Sequence, residues 1–170
     1  MSTEAGNTLA GTYNSVSARA GALWRDPRAA HLYPAARAGH RGNEAATDRA
    51  LLGAIARWVA RHPLYPARVA FENGKRLAGL APTSFSAKSL HVVSLPESPA
   101  PAIRLGLLAA SALALAGLVT AAARRAPPGW WLTGAFVALA AVMVNAEQRF
   151  AVPLQAWLAP LGAVAITRGR

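Results

Sequence analysis

Residues 102–123 read AIRLGLLAASALALAGLVTAAA, a nearly unbroken apolar run whose one charged residue, Arg104, lies close to its start. A helix of this length rises about 30 Å, which matches the hydrocarbon core of a lipid bilayer. Two further apolar blocks follow, at 130–146 and 152–166. The three blocks predict an all-α membrane protein with about three transmembrane helices.

The junctions between these blocks resemble membrane boundaries. Residues 124–129 read RRAPPG, a short basic turn, and the Trp130-Trp131 pair that follows is typical of the interface between lipid and water. The block at 152–166 is short for a span, and Pro153 and Pro160 are expected to interrupt its helix. Local bilayer thinning and a partly re-entrant segment are therefore open alternatives for it.

The distribution of arginine orients the predicted spans. The basic turn and the tail at 167–170, which reads TRGR, fall on the same side of a three-span arrangement. Because short basic loops stay in the cytoplasm, this side should be cytoplasmic and residues 1–101 should be exoplasmic. Exporting about 100 residues without a preceding signal is unusual, so we expect an N-terminal transmembrane region ahead of this chain.

Composition narrows the classes of function. The 170 residues carry a net charge of +11 and no cysteine, which excludes disulfides, thiolate catalysis and cysteine-ligated metals. The arginines are spread singly among Ala, Gly and Pro, as in a GC-rich bacterial genome, and they form no stripe that would indicate a nucleic-acid partner. The four histidines lack metal-ligand spacing, and nothing indicates a cofactor. The bacterial inner membrane is the expected location.

The N-terminal part divides into three segments. Residues 1–42 show no sustained periodicity and are predicted to be an irregular exoplasmic loop. Residues 43–80 are predicted to form two amphipathic helices, the first capped by Asn43 or Thr47 and the second ended near Gly79. Residues 81–101 are rich in Ser and Pro and are predicted to be a connector.

Four short motifs occur in an informative order: TLAGTYN at 8–14, NEAATDRAL at 43–51 with RHP at 61–63, RVAFEN at 68–73, and EQRFAVPL at 147–154. Together they resemble the C-terminal third of bacterial family 39-type glycosyltransferases, membrane enzymes of the GT-C fold similar to protein mannosyltransferases and the lipid A aminoarabinose transferase. The resemblance covers most of residues 6–166.

The resemblance implies that the chain belongs to an enzyme moving a sugar from a polyprenyl-phosphate carrier to an exoplasmic acceptor. In that family the catalytic carboxylate lies in an early loop that has no counterpart here. No catalytic residue is therefore assigned, and the isolated chain is expected to be inactive. The alternative is a stand-alone small membrane scaffold or partner subunit without catalysis.

Three residues are candidate substrate contacts. Arg149, at a predicted span boundary, can pair its guanidinium with the donor phosphate, although an interfacial anchor is the alternative. The family often has a second basic residue two positions later, where this chain has Ala151. Tyr13 and Asn14 are candidates for an acceptor groove, and a simple loop anchor is their alternative.

Overall fold

The computed structural model describes residues 5–40, 42–82, 96, 98–120, 124–144 and 148–167, without the side chains of 144 and 148–155. These residues form helices and connections and contain no strand, which confirms the all-α class. The helices are α1 (Ala5–Thr12), α2 (Ser15–Arg19), α3 (Pro34–Ala38), α4 (Glu44–Arg61), α5 (Tyr65–Leu77), α6 (Ala100–Leu118), α7 (Pro128–Val144) and α8 (Gln148–Thr167).

The chain divides into two compact units. The first comprises Met1–Glu72 and Met143–Asn145, and the second comprises Asn73–Val142 and Ala146–Arg170. The prediction that residues 1–42 are irregular is wrong for the parts that form α1, α2 and α3. The glycines of α1 suggested a loop because they weaken helices, but in the structure they serve contacts between elements.

At Gly6 and Gly11 the backbone of α1 packs directly against residues of other segments, with no space for a side chain. A Cβ on Gly6 would lie 2.7 Å from the Asp48 carboxylate, and a Cβ on Gly11 would lie 2.2 Å from the indole nitrogen of Trp24. The Gly6 N–H donates to that carboxylate at 2.6 Å, so Asp48 on α4 holds the first turn of α1. The negative charge at this N-terminus also suits the helix dipole.

The first unit buries one face of α4 among aromatic rings. Leu51 and Ile55 are buried, and they pack with Tyr13, Tyr65 and Val69 in one apolar cluster. Tyr65 makes edge-on ring contacts with Trp58 at 4.8 Å and with Tyr13 at 6.0 Å. The helical spacing of apolar residues on α4 therefore marked a core-facing surface.

The boundaries of α4 and α5 confirm the predicted signals. The Asn43 side chain accepts from the Ala46 N–H at 3.0 Å and caps α4, which ends at Arg61 with His62 as its C-cap. Gly79, with φ of +76°, follows α5, and the Leu80 N–H donates to the Lys75 carbonyl at 2.8 Å. This is the Schellman arrangement, in which a left-handed glycine closes the last turn.

The second unit packs its apolar helices through small residues. Helices α6 and α8 are in contact, and a Cβ on Gly117 would lie 2.1 Å from the Leu161 carbonyl oxygen. Gly134 on α7 faces Trp157 on α8, where a Cβ would lie 1.9 Å from the indole ring. The Trp157 indole N–H donates to the Trp130 carbonyl at 3.1 Å, and the two rings stack at 4.4 Å.

The apolar blocks form helices whose bounds differ from the predicted ones. Helix α8 continues through Pro153 and Pro160, so the prediction that they interrupt it is wrong. A proline removes one backbone hydrogen bond, and the helix continues on both sides of each of these prolines. Among the described residues one helix, α6 with 19 residues, is long and apolar enough to cross a membrane. The apolar helices Pro128–Met143 and Ala156–Thr167 are shorter.

Close contact at Gly117 generates a stability prediction. Gly117→Ala should lower the free energy of unfolding by about 1–3 kcal/mol, because the new methyl group meets backbone that cannot rotate away. Gly106→Ala, in the same helix, is the matched control, since its Cβ would meet nothing within 4 Å. It should be neutral or stabilise by up to about 1 kcal/mol. Unfolding in detergent, followed by circular dichroism, measures both, and equal stability of the two variants would contradict the packing.

Candidate functional site

Asn14 is fully engaged inside the first unit. Its side-chain oxygen accepts from the Ser17 N–H at 2.7 Å and caps α2. Its amide nitrogen donates to the Ala10 and Gly11 carbonyls at 2.8 and 3.0 Å. The side chain is 3% exposed, so the geometry matches the loop-anchor alternative. Its role toward an acceptor stays a prediction.

Tyr13 is buried beside Asn14, and its hydroxyl donates to the Met143 carbonyl at 2.8 Å. The Tyr33 hydroxyl donates to the Tyr13 backbone carbonyl. Burial raises the pKa of the Tyr13 phenol to about 12, and the nearby Tyr65 adds to this rise. A phenol with so high a pKa stays neutral near pH 7, so Tyr13 offers hydrogen bonding and no charge.

Arg149 lies in the first turn of α8, and its side chain falls outside the described part of the structure. Glu147 and Arg168 also lie outside the described residues. The predicted pairing of Arg149 with a donor phosphate therefore stays a prediction. Tyr13 and Asn14 are neighbours in the first unit, whereas Arg149 belongs to the second.

Sequence reasoning did not single out a groove between α3 and α4, within the first unit. Its volume is about 470 Å³, and its polar lining includes His40, Arg49 and Arg57. Alanines and Gly53 form much of the remaining surface, and none of the carboxylates that the structure describes lines it. The signal available in the sequence was the four-residue spacing of Arg49, Gly53 and Arg57, which places them along one face of a helix.

Tyr33 forms part of this groove and precedes α3 in an unusual conformation. Its φ of 53° and ψ of 50° lie in the left-handed region, which bulky residues seldom adopt. Such a backbone costs about 1–3 kcal/mol. The hydroxyl bond to the Tyr13 carbonyl and the contact of its ring with the core hold the residue in place.

Within the described ranges, no three His, Asp or Glu side chains come together in a way that could hold a metal ion. No protein-family model, curated protein or solved structure matches the sequence.

The hydrogen bonds of Asn14 predict a role in stabilising the fold, which a stability measurement can test without any ligand. Asn14→Ala should lower the free energy of unfolding by about 1–2 kcal/mol, because it removes a helix cap and two buried hydrogen bonds. The neighbouring Ser15→Ala is the control, since Ser15 is exposed. Thermal unfolding followed by circular dichroism measures both variants. An Asn14→Ala variant as stable as the original chain would show that these bonds do not support the fold.

Proposed function

We propose that the chain is part of an integral-membrane glycosyltransferase that moves a sugar from a polyprenyl-phosphate carrier to an exoplasmic acceptor. The ordered resemblance of its motifs to family 39-type enzymes motivates the reaction class. In this proposal the chain lies in a bacterial inner membrane, its first unit is exoplasmic, and α6, α7 and α8 are the membrane-embedded helices.

The observation that carries the membrane part of the proposal is the exposed apolar surface of the second unit. Only 11% of the apolar window in α6 is buried, although the helix is 19 residues long. Leu105 on α6, and Leu132 and Phe136 on α7, are each about 70% exposed. Soluble proteins seldom leave so much large apolar surface in water, whereas lipid chains cover such surface at no cost.

The polar side of the proposal rests on the charge of the first unit. The stretch from Arg19 to Glu72 holds nine arginines and four carboxylates, which are Asp26, Glu44, Asp48 and Glu72. Such an excess of positive charge favours approach to anionic headgroups and phosphate-linked donors. This attraction supports a lipid-phosphate substrate without selecting a particular sugar.

A second candidate function is a membrane scaffold or partner subunit without catalysis. It is favoured by the buried polar groups of the first unit, because the side chains of Asn14 and Ser17 and the backbone carbonyl of Thr12 take part in hydrogen bonds that hold the fold. A scaffold needs a stable helical unit and does not need a catalytic acid or base. The two candidates differ in whether the chain binds a polyprenyl-phosphate donor.

The proposed orientation can be tested by cysteine labelling, since the chain has no native cysteine. Ala60→Cys lies at an exposed position of α4 in the first unit, and Arg125→Cys lies at an exposed position between α6 and α7. In right-side-out membrane vesicles, an impermeant maleimide should label Ala60→Cys. It should label Arg125→Cys only after lysis. The reverse pattern would overturn the orientation.

Donor binding tests the proposed reaction class. The chain reconstituted in vesicles should bind a radiolabelled polyprenyl-phosphate sugar and transfer none of it. Arg149→Ala should weaken binding roughly ten- to hundred-fold, because a charged hydrogen bond in a partly dry site contributes about 1.5–3 kcal/mol. Arg149→Lys should retain part of the binding, since it keeps the charge and loses the bidentate fork.

Arg125→Ala is the control for this experiment, because it removes the same charge at an exposed turn. It should bind donor as the original chain does. If Arg149→Ala and Arg125→Ala bind equally well, Arg149 is an interfacial anchor. If the original chain binds no donor, the scaffold function is favoured over the transferase.

A further inference from the structure

We propose that the groove between α3 and α4 binds a phosphorylated anion through the guanidinium groups of Arg49 and Arg57. The groove lies within the first unit, so this inference does not depend on the proposed transferase function or on Arg149. The ligand is identified by its phosphate group, which a soluble phosphate and a lipid headgroup share.

The charge of the groove is the first argument. Arg49, Arg57 and His40 line it, and no carboxylate from the described part of the chain does. Asp48, the acidic residue next to Arg49, is engaged elsewhere because its carboxylate accepts from the Gly6 N–H. A concave surface that carries two guanidinium groups attracts an anion, because none of the carboxylates that the structure describes neutralises it there.

The positions of the two arginines supply hydrogen-bond donors. The Arg57 Nη1 lies 3.6 Å from where a Cβ on Gly53 would be, so its guanidinium reaches back over that glycine. The Arg49 Nε donates to the Ala45 carbonyl at 3.3 Å, which fixes the side chain and leaves its terminal nitrogens as donors. A phosphate carries more negative charge and more acceptor oxygens than a carboxylate, so it suits two guanidinium groups better than a single carboxylate does.

The shape of the groove is the second argument. Its volume of about 470 Å³ falls in the usual range for small-molecule sites. Gly53, Ala50 and Ala54 line it on the α4 side, and residues of this size leave the space between the helices unfilled. A ligand can therefore rest an apolar portion on the alanines while its phosphate meets the arginines.

Isothermal titration calorimetry tests the site. The full chain in detergent is titrated with inorganic pyrophosphate. The original chain should bind saturably with one site per chain. Arg49→Ala and Arg57→Ala should each weaken binding by about tenfold or more, since each removes a charged hydrogen bond. Arg61→Ala is the matched control, because Arg61 is exposed on the same helix and does not line the groove.

Gly53→Leu separates a defined site from general attraction to a basic surface. Leucine favours helix more than glycine does, so α4 should persist by circular dichroism, while the larger side chain fills the groove and leaves the net charge of the chain unchanged. Pyrophosphate binding should be lost. Arg125→Ala should leave pyrophosphate binding unchanged, since Arg125 is exposed and lies outside the groove. Because the groove variants alter no residue assigned to donor binding, this test stays distinct from that of the proposed transferase.

Short-chain lipids distinguish the source of the phosphate. Dihexanoyl phosphatidate is titrated beside pyrophosphate, with dihexanoyl phosphatidylcholine as the zwitterionic control. If the groove variants selectively lose binding of either anion, the site is supported. Loss of pyrophosphate binding assigns a soluble phosphate as the ligand, and loss of phosphatidate binding assigns a lipid headgroup. The proposal is overturned if neither anion binds, if Arg61→Ala weakens binding as much as Arg57→Ala, or if a folded Gly53→Leu variant binds as before.

Discussion

Tyr65 is the residue on which the first unit depends. Its hydroxyl lies 3.0 Å from both the Thr12 carbonyl oxygen and the Ser17 hydroxyl. With one hydrogen of its own, it donates to the carbonyl and accepts from the serine. Its ring meets Trp58 and Tyr13 edge-on. One side chain at the start of α5 thus contacts the end of α1, the middle of α2 and the core face of α4. Residues 1–42 alone lack this connection, because Tyr65 lies outside them.

Residues 5–12 show why the sequence predicted loops where helices occur. The segment AGNTLAGT has few large apolar side chains and two glycines, so periodicity and propensity both argue against a helix. Tertiary contacts reverse that preference: Asp48 anchors the first turn, and Trp24 occupies the space beside Gly11. The Trp24 indole also donates to the Thr8 carbonyl at 3.1 Å. A pattern within one segment cannot reveal partners supplied by residues 16 or 42 positions away.

Local signals were sufficient for α4 and α5, because both helices carry their boundaries in their own residues. Asn43 begins the first of them, Pro63 follows its end, and Gly79 closes the second. The site was less accessible to sequence reasoning. Tyr13 and Asn14 stood out as polar residues in a supposed loop, and in the structure both are buried and hydrogen-bonded within the first unit. The groove needs α3, which the sequence did not predict.

The first unit separates its polar groups into two populations, and this separation decides where recognition can occur. Thr12, Asn14 and Ser17 are buried and bonded within the unit, so exposing them to a ligand would cost the bonds that hold α1 and α2. Arg49 and Arg57 lie on another face of α4 and are exposed, and no carboxylate among the described residues lines their groove. Because the buried groups are committed to the fold, the exposed guanidinium groups of α4 are better placed to meet a ligand than Thr12, Asn14 and Ser17 are. The helix therefore packs the core with one surface while presenting positive charge with another.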